Sequence, residues 1–397
     1  MAAPLSFVIE PLLSFSLLTA SPKPHIMEAA APTVPPAPAN IAVRIEKLNP
    51  LAFPKGQSLA CDLTGKPAMV SLITEYTTLH FASKELAKVA WDGILCKIVH
   101  VMGKVLATPS LVGSEEERER RMQAVNSGKH ALIALCREEA AAHVVKGQFE
   151  LAIPAAQYAL RFGTSVHGDG SVELVPSYLL IAEANLGLAR YSKAEEQLTL
   201  ANWALLKTPN CSNALRSQLR RNFGRLYASQ QKYEEALRQL ADDVYYSSLM
   251  VGPEHIDTSG GYFQLGNVFY SMNQIENSLA MYDKVVDIWY RCVTQLLSAD
   301  AAAYELPPLG DAKGAEGVEV LGHIRKRREE CVGASNIATG ESNYVLGLLY
   351  QYLGHVAKAA EHMRLALAIY ENQLGPEHQS TKDVTLSLMQ LEGGGGA

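Results

Sequence analysis

The chain has 397 residues, 48% apolar, 19% charged and only 7% aromatic, a balance that supplies a sizeable core and favours helix over sheet. Its net charge of -6 and pI near 6.0 lack the basic excess that neutralises phosphates, so protein partners are expected, with no nucleic acid and no membrane. Six dispersed cysteines, none in a CxxC clip, exclude a disulfide framework and imply reduced thiols in a cytosolic compartment. In chain order, residues 1–45 read as a disordered extension. Glu10 and Pro11 break its apolar start and no basic region precedes it, so neither a signal peptide nor a membrane helix is expected. The stretch "EAAAPTVPPAPAN" at 28–40 is an extended proline–alanine linker.

Residues 50–107 form a small α/β segment. Leu86, Val89, Ile94, Ile98, Val101 and Val105 recur at helical spacing and predict a helix over 83–107, docked on the helices that follow. The "SKEL" of residues 83–86 and Trp91 resemble the closing helix of a MYND zinc finger. Only Cys61 of the eight ligands in that pattern is present. Thr64, Leu72, Glu75, Ala82, Leu86, Leu95 and Val99 stand at or near the other places. Structural zinc requires four good ligands per ion, so no metal and no cofactor is expected, with apolar packing in its place. The run "EEERERR" at 115–121 reads as a helix start with a solvated face on which Glu117 pairs with Arg121.

From 114 to 391 one segment type recurs, as "GQFELAIPAAQYAL", "ARYSKAEEQLTLAN", "QKYEEALRQLADD" and "NQIENSLAMYDKV". Their small residues Ala152, Ala194, Ala236 and Ser278 lie 42 apart each time. That periodicity predicts a solenoid of stacked helix pairs. A further unit centres on Ala359, 81 residues after Ser278, which leaves room for one irregular unit. Its helices are expected from "AEGVEVLGHIRKRREEC" and what precedes it, with an inserted loop at about 299–316. Gly224, Gly266 and Gly347 on first helices, opposite small residues on second helices, let the backbones approach. Tyr227, Phe269 and Tyr350 follow three residues later. This is the tetratricopeptide (TPR) pattern, so the fold class is an all-α TPR-type solenoid with a small degenerate MYND-like segment before it.

The 42-residue spacing exceeds the usual TPR period of about 34. It resembles the kinesin-light-chain type, as do the loops "GPEHIDT" at 252–258 and "GPEHQST" at 375–381, with Asp257 and Ser380 expected to cap the next helices. A last helix over 380–391 then closes the array before the glycine tail at 392–397.

No P-loop, GxGxxG, GxSxG or HExxH is present, so no catalytic residue is proposed and a non-enzymatic role is expected. A TPR array binds through its concave face, lined by first helices. Solenoid geometry assigns Arg137, Glu183, Arg221, Arg225, Phe263, Asn267 and Tyr270 to that face. Arg221 and Arg225 lie one turn apart and are placed to grip a partner carboxylate. Ala141, Glu183 and Arg225 stand where a chaperone-tail clamp needs asparagine and lysine, which argues against such a clamp.

The stretches "SVELVPSYLLIAEANLGLARYSKAEEQL", "CSNALRSQLRRNFGRLYASQQKYEEALRQLADDVYYSS" and "DTSGGYFQLGNVFY" are similar to the zinc finger MYND domain-containing protein twelve family, a ciliary and flagellar one. The resemblance spans roughly residues 50 to 390. It implies an axonemal scaffold whose partners are an inner-arm dynein heavy chain, another TPR protein and the microtubule doublet. The alternative it leaves is a cytoplasmic assembly factor or co-chaperone adaptor for axonemal dyneins. MYND–TPR methyltransferases carry a SET domain, for which the helical chain over 110–390 leaves no room.

Overall fold

The computed structural model describes residues 41–49, 59–106, 114–298 and 308–393; the expectations for residues 1–40, 299–307 and 394–397 lie outside them. The first elements form an antiparallel sheet, β1 (Val43–Lys47), β2 (Val70–Thr74) and β3 (Thr78–Phe81), in the order β1-β2-β3. Val70 opposite Phe81 and Leu72 opposite Leu79 give it one buried apolar face. Among the described residues, strand starts at Val43, inside the stretch read as disordered to residue 45, because pairing with β2 satisfies the backbone of β1.

After the sheet come α1 (Lys84–Ala90), a π-helical turn (Trp91–Leu95) and α2 (Cys96–Leu106). Ser83 caps α1, accepting from the Leu86 N–H at 3.1 Å. The π turn adds a residue to one turn and rotates the helix. The inward face is consequently Ala87, Ala90, Ile94, Ile98, Met102 and Val105, not the evenly spaced stripe read from the sequence; Leu86, Val89 and Val101 are only partly buried. A Cβ on Gly93 within that turn would sit 2.6 Å from the Leu151 carbonyl oxygen, so close approach demands glycine there.

This segment is not a free-standing domain. Cys61, Leu72, Phe81, Leu95 and Ile98 share one core with Leu132, Cys136, Tyr158 and Phe162 of α3 (Glu115–Val145) and α4 (Phe149–His167). Asp62 pairs with Arg161 at 2.7 Å and Lys97 with Glu139 at 2.6 Å across the same junction. Leu72, Leu95 and Val99, at places of zinc ligands in the finger pattern, are fully buried apolar residues. The amino-terminal segment thus caps the apolar end of the array.

The array continues as α5 (Val175–Gly187), α6 (Tyr191–Lys207), α7 (Asn213–Ser229), α8 (Tyr233–Val251), α9 (Ile256–Ser271), α10 (Ile275–Leu297), α11 (Asp311–Val332), α12 (Ile337–Tyr352), α13 (Val356–Gln373) and α14 (Gln379–Gly393). The hairpins are α3/α4, α5/α6, α7/α8, α9/α10 and α12/α13, and α14 closes the series. Ala152, Ala194, Ala236 and Ala359 are fully buried, and the Ser278 hydroxyl donates to the Gly266 carbonyl at 2.9 Å. A Cβ on Gly224 would lie 2.5 Å from the Leu240 side chain.

Two turn devices repeat. Within hairpins, Gly147, Ala189, Gln231, Asn273 and Gly354 all take left-handed backbone, with φ of 70, 54, 61, 60 and 77°. The next N–H in each donates five residues back, from Gln148 to His143, Arg190 to Asn185, Lys232 to Tyr227, Gln274 to Phe269 and His355 to Tyr350. Between hairpins, Gly252, Gly333 and Gly375 turn left-handed, and buried Thr258, Thr339 and Thr381 donate hydroxyls to their carbonyls at 2.8, 2.9 and 2.9 Å. The helix caps in these loops are His255, Asn336 and His378. Asp257 and Ser380, the caps expected from sequence, are donors here: their N–H groups bond the preceding histidine's Nδ1, which reaches N2 as a cap side chain must. The motif therefore occurs three times, its middle copy being "GASNIAT" at 333–339.

The irregular unit also differs from expectation. Helix begins at Asp311, so the insertion does not extend to 316, and the unit contributes one helix among the described residues, not a pair. Gly317 precedes Gly333 by sixteen residues, as Ala236 precedes Gly252 and Ala359 precedes Gly375, which gives α11 the register of a second helix. With no described hairpin partner, α11 packs on α12 and reaches the first-helix side at α3, and α12 also packs directly on α10.

Candidate protein-interaction face

Six of the seven residues assigned to the concave face fall into repeat registers. Arg137, Arg221 and Phe263 are separated by 84 and 42 residues, and Glu183, Arg225 and Asn267 by 42 each. Equivalent positions therefore recur on α3, α5, α7 and α9, and the structure brings them onto one side of the array.

Most of them are engaged within the chain. Arg137 donates from Nε to Ser177 Oγ at 3.0 Å and from Nη2 to the Glu173 carbonyl, tying α3 to the start of the next unit. Arg221, in the same register, donates to the Asp257 carbonyl at 3.1 Å, again 36 residues on. Its guanidinium also holds Asp243 of α8, from Nε at 2.8 Å and Nη2 at 3.3 Å. Asp243 is fully buried and accepts a third bond from Ser217 Oγ at 2.5 Å. Arg225 pairs with Glu183 at 2.5 Å, joining α7 to α5. The expectation that Arg221 and Arg225 stand ready for a partner carboxylate is thus corrected: carboxylates of the chain already occupy both. A buried acid such as Asp243 must be paired, and Arg221 is the cation in reach.

Phe263, Asn267 and Tyr270 are engaged as well. The Phe263 ring meets His323 of α11 edge-on at 5.4 Å between centroids. Asn267 Oδ1 accepts from the Tyr282 hydroxyl at 2.8 Å. Tyr270 donates to Glu330 at 3.3 Å, and the Arg327 guanidinium lies 4.2 Å from its ring centre. Lys313 pairs with Asp257 at 3.1 Å. The chain's own helix α11 therefore lies along α9 on the first-helix side, and it also reaches α3, the first helix of the array. What locks α11 there is Arg328, which is fully buried. It donates to Ser342 Oγ at 2.9 Å and the Ala338 carbonyl at 2.5 Å on α12, and to Asp283 on α10.

Sequence reading missed Asp243 and Arg328, although a signal exists for each. Ala236, Leu240, Asp243 and Ser247 continue one inward stripe, as do Leu321, Ile324 and Arg328. A charge inside such a stripe must carry its partner with it. Within the acidic–basic run, Glu116 and Arg120 stand 3.7 Å apart and largely exposed.

Among the described residues, no three His, Cys, Asp or Glu side chains gather so as to hold a metal ion, and no helix is long and apolar enough to cross a membrane. Burial pushes the Cys136 thiol far up, which keeps it a neutral core group.

Two stretches match tetratricopeptide-repeat family models, residues 259–288 and 345–380. Among solved structures, the chain is similar to BtubC (BKLC) from P. vanneervenii, at 16% identity over 74% of this chain and 94% of that one, TM-score 0.38. A kinesin light chain-like protein of Podosopora anserina with nearly identical TPR-like repeats aligns at 15% identity over 60% and 95%, TM-score 0.34. The apo form of RapI aligns at 16% over 66% and 72%, TM-score 0.35. The hairpins themselves, with two repeats matched at the family level, establish the chain as an all-α solenoid of tetratricopeptide type.

Proposed function

We propose that this protein is a non-enzymatic interaction scaffold of the ciliary axoneme, holding inner dynein arm components on doublet microtubules. The observation that carries the scaffold is the run of stacked hairpins with a 42-residue period. The ciliary setting, the dynein heavy chain and the second TPR protein come from the family resemblance of residues 50 to 390. On the first-helix side, one charged group open to a partner is the Arg225–Glu183 pair, about one third exposed at each end, and side chains of α11 engage Phe263 and Tyr270 of α9. An incoming carboxylate there competes with Glu183 and not with a vacancy, so partner capture is expected to be salt-sensitive.

Isolated flagella extracted with detergent and then with high salt test the location. A protein found in the salt extract or residual axoneme supports the scaffold. One confined to cell-body cytoplasm sinks it in favour of the assembly factor. Pull-down after mild crosslinking of axonemes identifies the partner, and Arg225→Glu should weaken that capture while leaving helicity unchanged. Arg221 is unsuited to this test because its replacement exposes Asp243 to burial without a counter-ion.

A further inference from the structure

A cavity of about 290 Å³ lies between α10, α12, α13 and α14. Its walls carry four acids. Asp283 is held by Arg328, which stands 3.7 Å from Glu341 as well. Asp287 pairs with Arg291 at 3.0 Å. Among the described residues, the Asp383 carboxylate takes one side-chain hydrogen bond, from the amide of Gln379, Nε2 at 2.7 Å. Four carboxylates thus face two guanidiniums, and Glu341 and Asp383 are the ones left short of a full counter-charge. Burial pushes the Glu341 carboxyl up despite Arg328.

Aromatic rings complete the cavity. Tyr290 and Tyr344 stand with centroids 6.1 Å apart, tilted by 43°. Tyr370 is only 4% exposed, lines the same space, and its hydroxyl has no hydrogen-bond partner among the described residues. Glu341, Tyr344, Arg328 and Tyr290 all bear on that hydroxyl, in that order, and all but Arg328 line the cavity. That hydroxyl stands at the cavity wall, where a ligand N–H can donate to it. Carboxylates, ring faces and a free acceptor together select an organic cation. Metal chemistry does not fit, since no three ligand groups converge among the described residues.

We propose that this cavity receives a basic side chain, lysine or arginine, from a protein partner. The source of the side chain rests on the interaction-scaffold reading; the cation chemistry does not. Asp383 and Glu341 supply the charge, Tyr290 and Tyr344 flank the chain, and Tyr370 accepts one N–H.

Isothermal titration of the full-length protein with three capped pentapeptides tests this, the central residue being lysine, arginine or norleucine. The lysine or arginine peptide should bind at least about tenfold more tightly than norleucine. The double variant Asp383→Asn/Glu341→Gln should lose about that factor. Tyr370→Phe should lose about threefold with an unchanged unfolding profile. Equal binding of all three peptides, or full binding by the double variant, overturns the assignment. Spermidine binding more tightly than either basic peptide would move the site to free polyamines and overturn the protein source. None of these results depends on where the protein resides in the cell, so failure here and failure of the axonemal reading are separable.

Discussion

Arg221→Met separates a structural arginine from a partner-binding one. In the native chain Asp243 is fully buried and takes two hydrogen bonds from Arg221 and one from Ser217. Arg221 also ties the Asp257 carbonyl, which joins α7 to α9. Methionine keeps most of the aliphatic stem but leaves the carboxylate with one hydroxyl. Breaking a buried pair from one side costs roughly 3–5 kcal/mol. Because the Arg221 side chain is 23% exposed, screening lowers the expectation to about 2–4 kcal/mol. Adding Asp243→Asn removes the unpaired charge and should restore about 1–2 kcal/mol. The assay is urea unfolding followed by circular dichroism, with hydrogen exchange of α8 and α9 amides, because a repeat array can unfold unit by unit. If Arg221→Met changes stability by less than about 0.5 kcal/mol and leaves exchange unaltered, the network reasoning is refuted.

Thr258→Val, Thr339→Val and Thr381→Val each remove a buried hydroxyl that serves an inter-hairpin glycine carbonyl. Each should cost about 1–2 kcal/mol by chemical denaturation, and three neutral results would show the repeated bond to be incidental. Ala189→Gly and Gln231→Gly relieve left-handed backbone and should stabilise by about 0.5 kcal/mol each, whereas Asn273→Gly should gain less because asparagine tolerates that conformation. Destabilisation by both of the first two would contradict the turn geometry. Burial lowers the affinity of His362 for a proton below its ordinary value near 6.5, with Arg325 adding to the effect. Its Nδ1–H donates to Asn343 Oδ1, since Asn343 Nδ2 is committed to the Thr339 carbonyl. The unfolded chain then binds the extra proton, so the stability His362 contributes is complete above about pH 6.5 and falls as pH drops through the lower folded value. Thermal melts from pH 7.5 to 5 should fall less steeply for His362→Gln than for the native protein; parallel curves would remove His362 from the account.

The sequence alone determined the repeat, the helix pairs and the tight helix approach, because these rest on short-range periodicity and side-chain size. Ala194, Ala236, Ala359 and Gly224 could be placed from spacing because only small residues permit two helix backbones to meet. It also located the glycine-led loops, although it gave the caps to Asp257 and Ser380 in place of His255 and His378, since cap geometry depends on which side chain reaches the second helical N–H. Three features were decided only by tertiary structure. The π turn at 91–95 rotated the inward face of the early helix, a consequence of docking on α4. The single described helix of the irregular unit, pinned by Arg328, came to lie along α9, where long-range packing and not local pattern chose its place. The concave-face residues appeared exposed in helical projection, yet Arg137, Arg221 and Arg225 found partners 36 to 42 residues away, at separations fixed by the stacking of one unit on the next. Periodicity tells which side of a helix a residue occupies; only the assembled stack tells what stands opposite it.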